Sequence, residues 1–190
     1  MYKVATFLVE RFWGNVSDMG DGLGVLLLTW NAGFYRYGSL NFASLQGCIE
    51  KNLQTIEAYS KENIVDIAEA DRVTVTQLFN DFLLALRRPE HKKSPEAFSP
   101  VATAKALHIL APNFFPLWDG EIAKSYPCYW YVQDKGAAKY WQFMTKMKRI
   151  VEALQEHLEE VKAISERPIL KLTDEYNYSK FSKANEKWLQ

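Results

Sequence analysis

Between Ser99 and Pro112 the sequence "SPVATAKALHILAP" spells a helix of about three turns that is apolar on nearly every side. Ser99 suits the N-cap, Pro100 the first helical position, and Pro112 closes the segment. At about 100° per residue, Val101, Ala102, Ala104, Ala106, Leu107, Ile109, Leu110 and Ala111 cover almost the whole circumference. A helix with no polar face cannot lie on a surface, so the rest of the chain has to wrap around it. Its polar exceptions are Thr103, Lys105 and His108, and the last two lie one turn apart on the same side. A lysine rooted in a central helix must snorkel outward, pair with an acid, or line a cavity. Asp119, in the loop beyond Pro112, is the candidate partner.

The remaining patterns are helical as well. Phe42, Leu45, Ile49, Leu53 and Ile56 recur at helical spacing behind Asn41, a plausible cap, and Thr74 with Gln77 fits a capping box ahead of "LFNDFLLALRR". Tyr140, Phe143, Met144, Met147, Ile150, Val151, Leu154, Leu158 and Val161 trace one apolar stripe, with Lys146, Lys148, Arg149, Glu152, Glu156 and Glu159 facing elsewhere. Further helices are expected over about Tyr2 to Trp13, Leu23 to Phe34, Asn63 to Ala70, Gly120 to Tyr126 and Asp174 to Lys187. Strand-like alternation is confined to a few residues near Val73. The expectation is an all-α, compact multi-helix fold in a single domain over residues 1–190.

With 48% hydrophobic and 14% aromatic residues, the chain can bury one sizeable core. Lys plus Arg equals Asp plus Glu at 23 each, so no global field holds nucleic acid or an anionic membrane, and such binding needs a local patch. Cys48 and Cys128 form no CxxC pair and the start is not that of a secreted chain, which suits a reducing cytoplasm. The longest apolar run, "GLGVLLLTW" from Gly22 to Trp30, is too short to span a bilayer. His91, His108 and His157 are the only histidines, and no HExxH or cysteine cluster accompanies them, so neither a metal nor a cofactor is expected. A monomer is expected.

Five constellations bear on chemistry. Lys105 and Asp119 read either as a nucleophilic amine beside an acid, or as a structural pair in which Asp119 is only the N-cap of the helix near Gly120. His108 reads as a donor to substrate or as a satisfied core histidine. In "TWNAGFYRYGSLNF", Trp30, Phe34, Tyr35 and Tyr37 surround Asn31 and Arg36, a mixture suited to stacking a planar ring and reading its edge, or to packing a helix end. The loop "RRPEHKKSPEAFS" carries Arg87, Arg88, His91, Lys92 and Lys93 towards Ser99 and could meet a phosphate backbone, although short charge runs are ordinarily solvated faces. "MGDGLG", Met19 to Gly24, has the glycine density of a phosphate cradle without a preceding strand or a following GK[ST], so a flexible turn is expected there.

From Phe98 to Ala123 the chain resembles the helix-hairpin-helix and OGG-fold DNA glycosylases. "SPVATAK", ending at Lys105, lies over their "LPGVGTK"-like hairpin and nucleophile; "AKALHIL" resembles the "SKxLxF" pattern and "PLWDGEIA" the "ilDsxVa" pattern of OGG-fold bacterial proteins. The resemblance implies an OGG-like core in which Lys105 attacks C1′ of an extruded nucleotide, or helps to activate a nucleophile, and Asp119 stabilises positive charge on the sugar. Val101 and Thr103 stand where the hairpin has glycines, so the glycine-turn grip on DNA is not carried over.

The function expected on these grounds is excision of a damaged or modified base from duplex DNA by N-glycosidic cleavage. Trp30, Tyr35 and Trp118 would stack the base; Asn31, Arg36 and His108 would recognise it; Arg87, Arg88, Lys92, Lys93 and Ser99 would meet the backbone. A modified cytosine of phage DNA is one substrate considered, which would place the protein in antiviral defence. The alternative is a non-catalytic helical module that binds a protein partner through its long C-terminal helix, with Lys105 and Asp119 as a structural pair.

Overall fold

A computed structural model describes residues 1–36, 39–90, 95–130, 136–157, 160, 165 and 167–181. Nine α-helices occur among them: α1 (Tyr2–Arg11), α2 (Val16–Trp30), α3 (Ala32–Tyr35), α4 (Phe42–Ser60), α5 (Arg72–Ala85), α6 (Pro100–Leu110), α7 (Gly120–Ser125), α8 (Ala137–Leu154) and α9 (Ile169–Phe181). Short 3-10 turns at Ile64–Asp66, Glu69–Asp71 and Gln155–His157 complete the regular structure. The all-helical expectation holds among the described residues, whose one β-type pairing is an isolated antiparallel bridge between Arg88 and Ala97.

Helix α6 is central, as its apolar circumference requires. Only Val101 and Lys105 of its residues escape burial, and it packs against α1, α2 and α5. Its start follows the predicted chemistry: the Ser99 hydroxyl accepts from the Ala102 amide at 3.1 Å, and Pro100 occupies the first turn. Asn41 and Asp119 cap α4 and α7 in the same way, through the amides of Ser44 and Ile122. The stripe on α8 also forms, burying Tyr140, Phe143, Met144, Met147 and Val151, and α5 packs against this helix. Its predicted continuation through Leu158 and Val161 lies outside the described residues.

Several boundaries differ from expectation. Residues 63–70 form two 3-10 turns rather than a helix, because the Asp66 and Asp71 carboxylates accept from the amides of Asn63 and Ala68 and close each turn at once. The second turn runs directly into α5, so that helix begins ahead of the Thr74 capping box and Val73 is an exposed residue of its first turn, not a strand residue. The last helix starts at Ile169, immediately after Pro168, rather than at Asp174.

The largest correction concerns "MGDGLG", which is not a flexible turn but the buried interior of α2. A Cβ on Gly22 would stand 3.1 Å from Leu8 and Val9 of α1, and one on Gly24 only 2.5 Å from the Phe42 ring of α4. Hydrogen at these positions lets α2 approach both neighbours closely. No helix among the described residues is long and apolar enough to cross a membrane.

Candidate functional site

The loop between α6 and α7 carries the site, and it is pinned from three sides. His108 Nδ1 lies 2.7 Å from the Phe115 carbonyl, the Tyr140 hydroxyl donates to the Pro116 carbonyl at 2.8 Å, and the Ile64 amide donates to the Asn113 carbonyl at 2.9 Å. Phe114 and Phe115 anchor it further by packing on Tyr59. Trp118 follows, 1% exposed, among Phe79, Trp130, Tyr140 and Phe143. Asp119 comes next, its Oδ1 held by the Ile122 amide at 2.9 Å.

This loop forms one wall of a cavity of about 500 Å³. Leu117, Trp118 and Asp119 line it from the loop, Trp30 from the end of α2, Lys105 from α6, and Lys171, Asp174, Glu175 and Tyr178 from α9. The volume lies within the range of small-ligand sites, about 300–1,000 Å³. The Trp118 indole Nε1 is buried and has no hydrogen-bond partner among the described residues.

Lys105 donates to Asn31 Oδ1 at 2.6 Å and to the Trp30 carbonyl at 3.1 Å. The same Nζ stands 5.7 Å from the centroid of the Trp30 ring. Burial lowers the Lys105 pKa from its ordinary value, against the charges of Asp119 and Asp174, which raise it. No direct Lys105–Asp119 ion pair forms; the carboxylate acts on the amine through the field inside the cavity. Asn31 is itself oriented, donating through Nδ2 to the Ser99 hydroxyl at 3.3 Å, so the cap of α6 and the lysine of α6 share one amide.

Lys105, Asp119, Trp30 and Trp118 therefore converge on the cavity, with Asn31 one hydrogen bond behind. Other sequence candidates lie elsewhere. Tyr35 turns into the core and donates to the Leu86 carbonyl, and Arg36 is exposed and does not line the cavity. His108 is wholly buried: with Nδ1 protonated towards Phe115, its Nε2 accepts from the Tyr2 hydroxyl at 3.0 Å. Burial pushes its pKa down to about 4, so it is neutral near pH 7 and positions the loop.

Of the proposed backbone contacts, Arg87 is paired with Glu96 at 2.9 Å, and Arg88 donates to the Phe34 and Pro95 carbonyls at 3.4 Å. Ser99 is buried with its hydroxyl engaged by Ala102 and Asn31. Lys92, Lys93, His91 and Tyr37 lie outside the described residues.

Sequence reasoning missed the contribution of α9. Lys171 is 7% exposed; it donates to Asp174 at 2.7 Å, and its ammonium stands 5.5 and 5.4 Å from the ring centroids of Tyr2 and Trp30. The spacing Lys171, Asp174, Glu175 announces helical ion pairs, but nothing local connects it with Lys105. Among the described residues no group of three or more His, Cys, Asp or Glu is placed to hold a metal ion. No family model matches the chain, and no curated protein and no solved structure matches it significantly.

Proposed function

We propose that this protein is a DNA glycosylase that seats an extruded damaged or modified base in the cavity and cleaves its N-glycosidic bond. The observation that carries the reading is the shared cavity: a desolvated lysine faces the same space as a capped aspartate and two tryptophans. Trp30, 37% exposed, lines the cavity with the Tyr2 ring stacked against it at 6.0 Å between centroids and is proposed to extend that stack to the base, and the Trp118 indole has an unused donor. Lys105, whose deprotonated form burial favours, attacks C1′ as an amine while the bond to the base breaks. Asp119, fixed by the α7 amide, stabilises the positive charge that develops on the sugar.

The resemblance of residues 98–123 to the OGG-fold glycosylases supports the same roles for Lys105 and Asp119. The test is incubation with duplexes carrying oxidised, alkylated and deaminated bases and bulky modified cytosines of the kind found in phage DNA, with chromatography of released base. The expected result is release from one class, lost in Lys105→Ala and in Asp119→Asn. Borohydride should trap the wild type, but not Lys105→Ala, as a cross-link to DNA if the amine forms an imine. No release from any duplex, or equal release by both variants, sinks the reading.

The partner-binding alternative retains one supporting observation, that Asp119 already serves as a helix cap. Against it, the described part of the α8 stripe faces the protein's own core and is not offered to a partner.

A further inference from the structure

The proposed reaction leaves a proton to be moved, and the arrangement of α9 bears on where it goes. When Lys105 attacks C1′, its nitrogen becomes a secondary ammonium, while the base departs with the electron pair of the broken C–N bond and needs a proton. Asp119 is less available to carry it, because its Oδ1 is committed to the Ile122 amide as the cap of α7. Asp174 is differently placed. It lines the same cavity, its Oδ2 accepts from Lys171 Nζ at 2.7 Å, and its Oδ1 has no hydrogen-bond partner among the described residues.

We infer that Asp174 is the acid–base group of this cavity, taking the proton from the attacking Lys105 nitrogen and returning it to the leaving base. The inference rests on the glycosylase reading and adds a catalytic residue that the sequence did not mark. The step balances: the C1′–base bond breaks as the C1′–Nζ bond forms, the lysine nitrogen loses one proton, the base gains it, and Asp174 ends ionised as it began.

Electrostatics support the geometry. Burial raises the Asp174 carboxyl from its ordinary range, Lys171 lowers it, and the charges of Asp119 and Glu175 raise it further. Lys105 is in turn raised by Asp174, and Tyr2 of α1 also feels that charge. The groups facing Asp174 are thus Lys171 and Glu175 on its own helix, Lys105 on α6, Asp119 at the start of α7, and Tyr2 on α1. A buried carboxylate whose desolvation favours its protonated form accepts a proton more readily than a solvated one, which is what the relay requires of Asp174.

The test combines a readout that needs no substrate with one that does. Reductive ¹³C-methylation and NMR titration, with the Lys105 resonance identified by its absence in Lys105→Arg, should show Lys105 titrating at lower pH in Asp174→Asn than in wild type. Single-turnover base release should fall by about 10²–10⁴-fold in Asp174→Asn while the Kd for the duplex stays within a factor of three, and Asp174→Glu should recover most of the rate with a pH profile of wild-type shape. An unchanged Lys105 titration, or release by Asp174→Asn at the wild-type rate, overturns the inference. If Asp174→Asn fails to fold, Asp174→Glu decides the matter by its pH profile, which must retain the limb assigned to the carboxyl. Should the wild type release no base at all, the glycosylase reading falls by itself, and the lysine titration still reports whether Asp174 and Lys105 are coupled.

Discussion

Lys105 and His108 sit one turn apart on the same buried helix, yet their titrations have different consequences. The folded state depresses the Lys105 pKa, so between that lowered value and the ordinary value near 10.4 the unfolded chain binds more protons than the folded one. The contribution of Lys105 to stability therefore rises with pH across that window. Lys105→Met should abolish the rise and leave the protein folded, with stability held or increased by up to about 1 kcal/mol at pH 7, because a desolvated ionisable group is removed and water can serve the partly exposed Trp30 backbone. Thermal melts of both proteins at pH 7 and pH 10 check this. A collapse of the fold would favour the structural-pair reading over the catalytic one. His108 is likewise depressed, to about 4 against 6.5, and acts in a lower window. As pH falls from 6.5 towards 4 the unfolded state takes up a proton that the folded core refuses, a destabilisation on the order of 3 kcal/mol when complete. Relative to His108→Asn, which keeps a donor towards Phe115, the wild type should lose more stability over that range in urea titrations. A variant with the same pH dependence as wild type would show that His108 is not the titrating group.

At the scale of elements, local signals were legible and close approaches were not. Asn41, Ser99 and Asp119 cap their helices as read, because a cap is decided within four residues. The glycines of α2 were misread because their composition is that of a turn, whereas their purpose is set by α1 and α4, distant in sequence. Two substitutions separate these cases. Gly24→Ala places a methyl against the Phe42 ring and should destabilise by about 1–3 kcal/mol. Gly47→Ala, in the interior of α4 with nothing within 4 Å of the added carbon, should stabilise by about 0.5–1 kcal/mol. Denaturant midpoints measure both. Equal effects at the two sites would mean that α2 does not pack on α4 as closely as the structure has it. The same limit explains the site: Lys105 and Asp119 share one continuous stretch of sequence and could be paired by inspection, while Lys171 and Asp174 reach them only through the docking of α9.

Both ends of the described chain meet at one wall residue of the cavity, with Tyr2 of α1 and Lys171 of α9 packed at Trp30. The formal net charge is zero, Arg87 is engaged by Glu96, the Ala102 amide at the head of α6 is satisfied by Ser99, and Val101 and Thr103 exclude a glycine hairpin. If the molecule binds duplex DNA as proposed, the expected phosphate contacts are the 87–93 loop, with Arg87, Arg88, Lys92 and Lys93, together with the N-terminus of α6 at Ser99 and other lysines. Each neutralised phosphate contributes about −0.9 to the slope of log K against log salt, so the four cations of the loop alone would give a slope of about −4 between 50 and 200 mM salt. Lys92→Ala and Lys93→Ala should each flatten it by about 0.9 while leaving the preference among bases intact, since backbone contacts carry no base information. Fluorescence anisotropy on one labelled duplex over a salt series measures the slope. A value near −7 would mean further phosphate contacts outside that loop, while discrimination among bases would still have to come from the cavity.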